Sequence, residues 1–210
     1  MRFLIPVVLA ALIVAHMALV SAEGYYGDAH EDRFGTIRVQ GPLGPIIANP
    51  PSGDVIRNPA SDLHLELWTD RGGAYRIGDP IELSVRVSRD AYVTIYNITA
   101  HDEIIQVFPN PYDRDPFVKA GETLTLPRSG YTLTVYGPTG TDRVIAIAST
   151  KRAMDLLGLA QARPRSSFAE FLGSEEEFGS ALLGRIVAAA SSGVEQGEWN
   201  SQTISFEIRR

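Results

Sequence analysis

Hydrophobic and polar residues alternate with a period of two through the middle of the chain. The clearest run alternates Ile81, Leu83, Val85 and Val87 with Glu82, Ser84 and Arg86. A second run of the same period contains Leu63, Leu65 and Leu67. Because successive side chains of a strand point to opposite faces, both runs predict strands with one buried face.

Further strands are predicted between turns rich in Gly, Pro and Asp. Residues 91–98 (AYVTIYNI) are β-branched or aromatic on both faces, which predicts a central strand covered on both sides. The other candidate strands are residues 104–108, 123–126, 131–136, 143–149 and 199–208. This succession of short strands predicts a mainly β fold, an immunoglobulin-like β-sandwich of about seven strands with Val85, Val87, Val93 and Ile95 in its core.

The period changes to that of a helix before the last of these strands. Residues 150–160 resemble a short helix, and residues 167–170 and 174–177 are both Ser-x-x-Glu capping boxes. The second box precedes an apolar helical stripe of Phe178, Leu182, Leu183, Ile186, Val187 and Ala190. Gly193 is placed to end that helix. We therefore expect two or three short helices inserted before the closing strand.

The first 22 residues have the form of a secretory signal peptide. Arg2 precedes an apolar stretch, and Val20-Ser21-Ala22 places small or apolar residues at the positions that a signal peptidase reads. The alternative is a retained membrane anchor, although the apolar stretch is near the lower length limit for spanning a bilayer and contains Pro6. The sequence favours export to the periplasm, cell envelope or cell surface, with no stable membrane span after removal of the signal.

We expect residues 23–60 to form an extended arm and residues 61–210 to form the domain. Prolines at positions 42, 45, 50, 51 and 59 exclude a regular helix in the arm and interrupt strands. Only residues 36–39 are expected to pair as a short strand. They would add to a sheet edge of their own domain or of a partner.

Composition narrows the classes of partner and of chemistry. The net charge of −6 argues against a nucleic-acid partner, which needs a basic surface. The chain has no cysteine, which excludes a thiol nucleophile, a thiolate metal site and thiol redox chemistry. No Gly-x-Ser-x-Gly elbow or other catalytic motif is present. The sequence therefore indicates no catalytic residue and no cofactor.

Residues 75–149 resemble a bacterial family known as a domain of unknown function, numbered 4384. The resemblance rests on Tyr75, Gly78-Asp79, Asp90-Ala91-Tyr92 and Phe108-Pro109-Asn110, followed by Phe117-Val118, Pro127 and the strand at 146–149. With its proline-rich arm and its Trp-led last strand, the chain is similar to exported single-domain members from Deinococcus-type bacteria. The His101-Asp102-Glu103 turn departs from the Gly-containing turn usual in the family. The resemblance implies an extracytoplasmic immunoglobulin-like module and no reaction.

The most distinctive motif residues have a structural explanation in turns. Gly78 and Asp79 suit a tight turn before Pro80, and Pro109 and Asn110 end a strand. Asn110, Asp113 and Asp115 also gather oxygen atoms that could hold calcium, but turn chemistry explains them better. Residues 28–32 of the arm contain one histidine and three acids, and a solvated charge run explains these better than a metal site.

Four residues are candidates for a binding surface. Trp68, Tyr92, Tyr96 and Arg86 are predicted on strand faces opposite the aliphatic core. If these strands are neighbours, their aromatic rings form a platform for a glycan or a protein. The alternative is that the C-terminal helices cover this face, because their apolar stripe must be buried somewhere.

The sequence favours a non-catalytic, exported cell-envelope module, an adaptor or structural component that binds another envelope or surface-layer protein. The arm and one sheet face are the expected contacts. A glycan- or metal-binding module is the alternative, and a hydrolase with a spatially assembled site is less favoured. A pocket around His64 or His101 with two carboxylates would support the hydrolase.

We predict that the mature protein begins at Glu23, because Val20-Ser21-Ala22 completes a signal peptide. N-terminal sequencing of the protein purified from its native source checks this. A membrane-bound form that retains Met1 would show that the apolar stretch is an anchor.

Overall fold

The structure is a computed structural model of the chain. It describes residues 30–31, 37–41, 44–48, 58, 60–128, 130–152, 159–162 and 168–210. The proposed signal peptide lies outside these residues and stays a prediction, as does most of the helix expected at 150–160. The described part of the chain is mainly β, as the alternating pattern predicted.

The smaller sheet of the domain has three antiparallel strands. Its members are β4 (Leu65–Thr69), β6 (Leu83–Val87) and β10 (Thr123–Leu126), in the order β10-β6-β4. Buried and exposed positions alternate along β4 without exception. All three strands were predicted from sequence, and the bounds of β6 and β10 lie within the predicted runs.

The larger sheet has eight strands. They are β5 (Ala74–Arg76), β7 (Ala91–Ile98), β8 (Ile104–Phe108), β9 (Phe117–Val118), β11 (Gly140–Ser149), β12 (Gln161–Ala162), β13 (Ala169–Phe171) and β14 (Trp199–Arg209). The order is β12-β13-β8-β7-β11-β14-β5, and β9 also pairs with β7. The pairing of β5 with β14 is parallel, and the other pairings are antiparallel.

The first hydrophobic core lies between the two sheets. Val85 and Val87 of the small sheet and Val93 and Ile95 of the large sheet are all essentially inaccessible and belong to one cluster of buried residues. These are the four residues predicted for the core. Because side chains alternate between the faces of a strand, these residues lie on the faces of β6 and β7 that meet.

A second core lies on the opposite face of the large sheet, under helix α1 (Glu175–Ser191). Phe178, Leu182 and Ile186 of α1 are buried in one cluster with Ile145 and Ile147 of β11. The residues that alternate with them on β11, Val144 and Ala146, belong to the first core. The large sheet is thus buried on both faces, which explains why its central strands lack the polar alternation of an open sheet.

The ends of α1 match the sequence prediction. The Ser174 Oγ accepts a hydrogen bond from the Glu177 backbone N (3.2 Å), and the Glu177 Oε2 accepts one from the Ser174 backbone N (2.8 Å), which is a capping box. At the other end, Gly193 has a φ of +89° and the Val194 backbone N donates to the Ala189 carbonyl (3.1 Å). Glycine adopts this left-handed conformation without a steric penalty, so Gly193 ends the helix.

Two of the local predictions were wrong. Residues 131–136 make one isolated bridge, between Thr134 and Pro80, and no strand. Backbone bonds flank the bridge on both sides, but the partner segment turns at Gly78 (φ of +95°), so the ladder does not continue. Residue 167 of the capping box expected at 167–170 lies outside the described residues, and in place of the helix that the box would open, Ala169–Phe171 is strand β13 and pairs with β8. One α-helix and a 3-10 turn (Gln196–Glu198) lie between β13 and β14.

The arm contains more strand than its prolines suggested. Within the described residues, β1 (His30–Glu31), β2 (Ile37–Gly41) and β3 (Gly44–Ala48) form a separate antiparallel sheet in the order β1-β2-β3. The expectation that only residues 36–39 pair was therefore wrong. Proline did not prevent strand pairing here, since Pro45 lies inside β3, opposite Gln40. Near the end of the arm, the buried Asn58 donates from its side chain to the Trp199 carbonyl (2.8 Å), which attaches this point to the domain.

Substitution of Val85 by Asp is expected to lower the free energy of unfolding by at least about 3 kcal/mol, because it buries an unpaired charge between the sheets. Thr123→Asp is the matched control, since it places the same charge on the exposed face of a neighbouring strand. Urea unfolding monitored by circular dichroism measures both. A Val85→Asp variant as stable as the control would contradict the core assignment.

Candidate functional site

The outer face of the small sheet carries two of the four predicted binding residues. We call Glu66, Trp68, Ser84, Arg86, Thr123 and Thr125 the outer sheet face. Trp68 lies opposite Ser84, and Ser84 opposite Thr125, while Glu66 lies opposite Arg86. The Trp68 side chain is 39% exposed. Since α1 packs on the far side of the large sheet, this helix leaves the outer sheet face uncovered.

Local sequence explains why these side chains share one face. Leu65, Leu67, Val85 and Leu124 occupy the alternating inward positions, so the residues between them must point outward. The Ser84 and Thr125 hydroxyls are 3.0 Å apart and are hydrogen bonded across the strands. Trp68 therefore shares its row of the sheet with the small, mutually hydrogen-bonded Ser84 and Thr125, and charged residues occupy the neighbouring row.

The other two predicted binding residues lie elsewhere. Tyr96 is completely buried in the second core, where its ring packs edge-on against Phe178 of α1 (4.9 Å between ring centroids). Tyr92 is part-buried, with Phe117 at 5.5 Å and the Arg152 guanidinium 5.9 Å from the ring centroid. A platform of all four residues is therefore not formed. At Tyr96 the helix covers the sheet, which was the alternative left open by the sequence.

Gly78 and Asp79 form the turn that their residue types suggested. Gly78 has a φ of +95°, and its backbone N donates to the Val135 carbonyl (2.8 Å). The Asp79 Oδ2 accepts hydrogen bonds from the Arg76 backbone N (3.0 Å) and from the Arg71 guanidinium (2.7 Å). The bond from the Arg76 backbone is the main reason that the pKa of Asp79 is lowered.

All three residues proposed for calcium already accept hydrogen bonds, Asn110 and Asp115 from backbone donors and Asp113 from the Tyr131 hydroxyl. The Asn110 Oδ1 accepts bonds from the backbone N atoms of Tyr112 (2.8 Å) and Asp113 (2.9 Å), and the Asp115 Oδ1 accepts one from Phe117 (3.1 Å). Asn110 follows Pro109, whose peptide bond with Phe108 is cis. No cluster of three His, Asp or Glu side chains suited to a metal occurs within the described residues. The loop geometry is that of an Asx turn.

Tyr112 of the same loop stacks on Tyr131, which follows β10, and the sequence did not single out this pair. The rings of Tyr112 and Tyr131, the tyrosine pair, have centroids 5.1 Å apart and are inclined by 16°. The Tyr131 hydroxyl donates to the Asp113 Oδ2 (2.8 Å) and accepts from the Asn110 Nδ2 (3.2 Å). Burial raises the pKa of Tyr131 to about 12, so its hydroxyl remains protonated. Only the folded chain brings the two residues together.

An open cleft of about 520 Å³ lies beside the end of the large sheet. Ala74, Thr141, Ser205, Glu207 and Arg209 contribute to its lining. Glu207 and Arg209 form an ion pair (2.6 Å), and neither His64 nor His101 contributes to the lining. Both histidines are exposed and lie on separate parts of the chain, before β4 and in the turn between β7 and β8. The cleft thus has hydroxyl and charged groups but no histidine beside a nucleophile.

Asp142 is a buried carboxylate on β11. It is 5% exposed, and its two oxygens accept bonds from the Ala100 backbone N (3.0 Å) and the Asn97 Nδ2 (3.1 Å). Burial raises the pKa of Asp142, and the charge of Glu103 raises it further. The Asn97 Oδ1 is buried without a hydrogen-bond partner. This group secures the turn between β7 and β8 rather than facing a ligand.

A family model matches the middle of the chain. Residues 74–152 match the model of the family described as "Domain of unknown function (DUF4384)". The match runs from β5 to just beyond β11, and therefore contains the Gly78-Asp79 turn, both central strands of the large sheet and the tyrosine pair. It supports the predicted resemblance over this part of the chain. A search of the curated proteins finds no match.

Asp142→Asn is expected to stabilise the protein increasingly as pH rises from acid to neutral. Because the pKa of Asp142 is raised by folding, its contribution to stability is greatest below its ordinary pKa of 3.8 and is lost as pH rises through the folded-state value. The amide introduced at position 142 cannot ionise. It can donate a hydrogen bond to the Asn97 Oδ1 once the Asn97 side-chain amide is rotated. Melting temperatures measured from pH 4 to pH 7 check the trend.

Asp102→Asn is the control, since Asp102 is an exposed acid in the same turn. The difference in melting temperature between Asp142→Asn and the unsubstituted protein should grow across this pH range, and by more than the difference for the control. A constant difference for Asp142→Asn would show that burial does not shift this carboxyl.

Proposed function

We propose that this protein is a non-catalytic, exported module of the bacterial cell envelope that acts by binding another envelope protein. In this proposal residues 61–210 form an immunoglobulin-like sandwich, residues 1–22 are removed on export, and the arm supplies an additional contact. The protein is an adaptor or structural component of the periplasm or cell surface and has no turnover of its own.

The outer sheet face is the observation that carries the proposal. Trp68 presents an exposed indole on an ordered sheet, with Arg86 and Glu66 on the next row. Tryptophan and arginine are among the residues most enriched where binding energy concentrates at protein interfaces. Backbone pairing on both sides of β6 fixes the main chain that carries them, so little backbone entropy is lost when a partner binds.

The remaining chemistry supports binding over catalysis. The motif residues Gly78, Asp79 and Asn110 are engaged in turns, and Asp142 secures a hairpin. The exposed histidines His64 and His101 are far apart in the topology, one at the start of the small sheet and the other in a hairpin of the large sheet.

Within the described residues, no helix has the length and apolar character needed to cross a membrane.

The proposal predicts that Trp68→Ala weakens binding of the partner at least about tenfold. The bait is the chain from residue 23 to residue 210, immobilised and exposed to an envelope fraction of the native organism after mild cross-linking. Mass spectrometry identifies the retained proteins, and their affinity for the purified chain is then measured by surface plasmon resonance.

Ile77→Ala is the matched control, because Ile77 is a similarly exposed hydrophobic residue (46%) outside the outer sheet face. Arg86→Glu tests the charged row without removing a large side chain. Circular dichroism must show that all three variants are folded. A partner that binds Trp68→Ala and Ile77→Ala equally would remove the outer sheet face from the proposal.

A further inference from the structure

We propose that the tyrosine pair, Tyr112 and Tyr131, is a carbohydrate-binding site that takes a pyranose ring of a cell-surface glycan. The site is distinct from the outer sheet face, and the inference goes beyond the protein-binding role. It rests on four features of the loop at residues 110–115: an exposed ring, a rigid support, a polar rim and a small size.

The exposed ring belongs to Tyr112. One side of this ring stacks on Tyr131, and the residue is nevertheless 50% exposed, which leaves the other side open to solvent. Tyr131 in turn packs against Phe168, with centroids 6.1 Å apart and the rings inclined by 63°. An aromatic face of this kind accepts the C–H bonds on the apolar side of a pyranose, because the ring face is electron-rich.

The support of the tyrosine pair is formed before any ligand arrives. The buried Asn110 accepts bonds from the backbone N atoms of Tyr112 and Asp113 through its Oδ1 and donates to the Val107 carbonyl (2.8 Å) through its Nδ2. Its Nδ2 also donates to the Tyr131 hydroxyl. One side chain thus fixes both the loop that carries Tyr112 and the ring beneath it. Such preorganisation lowers the entropic cost of binding a weak ligand.

The rim of the site carries both hydrogen-bond donors and hydrogen-bond acceptors. Arg114 is exposed, and its Nε donates to the Pro111 carbonyl (3.2 Å), which keeps the guanidinium at the edge of the loop. Arg128 pairs loosely with Asp113 (3.9 Å), and Asp115 is exposed. Sugar hydroxyls donate and accept at once, so a rim of two arginines and the exposed carboxylate of Asp115 suits the hydroxyl groups of a glycan.

The size of the exposed ring favours a sugar over a protein partner. A stable protein interface buries about 800 Å² on each partner, whereas Tyr112 offers a single ring face. The other large hydrophobic residues that are exposed in the described structure lie on other segments: Trp68, Ile77, Tyr136 and Leu172. A pyranose has about the dimensions of one aromatic ring, and the site therefore matches one sugar unit of a longer chain.

The test uses two soluble probes, the hexasaccharide of N-acetylglucosamine and cellohexaose, both of which present flat pyranose faces. Binding to the chain from residue 23 to residue 210 is measured by isothermal titration calorimetry and by chemical shift changes in NMR spectra. We expect at least one probe to bind with a Kd below about 10 mM, in the range of one stacked sugar. Tyr112→Ala should weaken this binding at least about tenfold.

Two controls separate stacking from other effects. Tyr112→Phe keeps the ring and should retain affinity within about twofold. Tyr136→Ala removes a tyrosine that is even more exposed (61%) but lies outside the pair, and should leave affinity unchanged. Binding of neither probe, or equal binding by Tyr112→Ala and the unsubstituted chain, would overturn the proposal. So would retention of an envelope protein that depends on Tyr112 while neither probe binds.

Discussion

Burial of the large sheet on both faces is the constraint on which the rest of the structure depends. Along β11, Val144 and Ala146 enter the first core while Ile145 and Ile147 enter the second. Each large aliphatic side chain removed from water contributes about 1.5–3 kcal/mol. Because the chain has no cysteine, these two cores, without disulfides, hold the domain together. The small sheet and α1 are both required, one for each face.

The double burial also determines where ligands can bind. The large sheet gives one face to the small sheet and the other to α1, so its central aromatic Tyr96 is unavailable. In the described residues the exposed aromatic residues are Trp68 on the outward face of the small sheet, Tyr112 in the loop after β8, and Tyr136 before β11. Trp68 lies on a paired strand, and Tyr112 lies in a loop fixed by Asn110. The two proposed roles, protein binding and glycan binding, use these separate surfaces, which would allow one module to join two envelope components.

Most of the strands could be predicted from sequence because their burial pattern is local. The alternation around Val85 and the two-faced run of β7 each require one particular strand environment. The sequence was misleading where tertiary pairing competes with local preference. Residues 169–171, where the second half of the expected capping box was placed, form β13 because pairing with β8 satisfies their backbone groups. The described residues of the arm form their own sheet despite Pro45.

The candidate site shows the same division between sequence and tertiary structure. Sequence alone determined that Trp68 and Arg86 point away from the core, because a period of two fixes the face of a strand. It also indicated that Asn110 serves a turn. Only the tertiary structure decided that Tyr96 lies under α1 and that Tyr131 stacks on Tyr112, nineteen positions away. Contacts between distant segments depend on how the layers pack, and no local pattern encodes that packing.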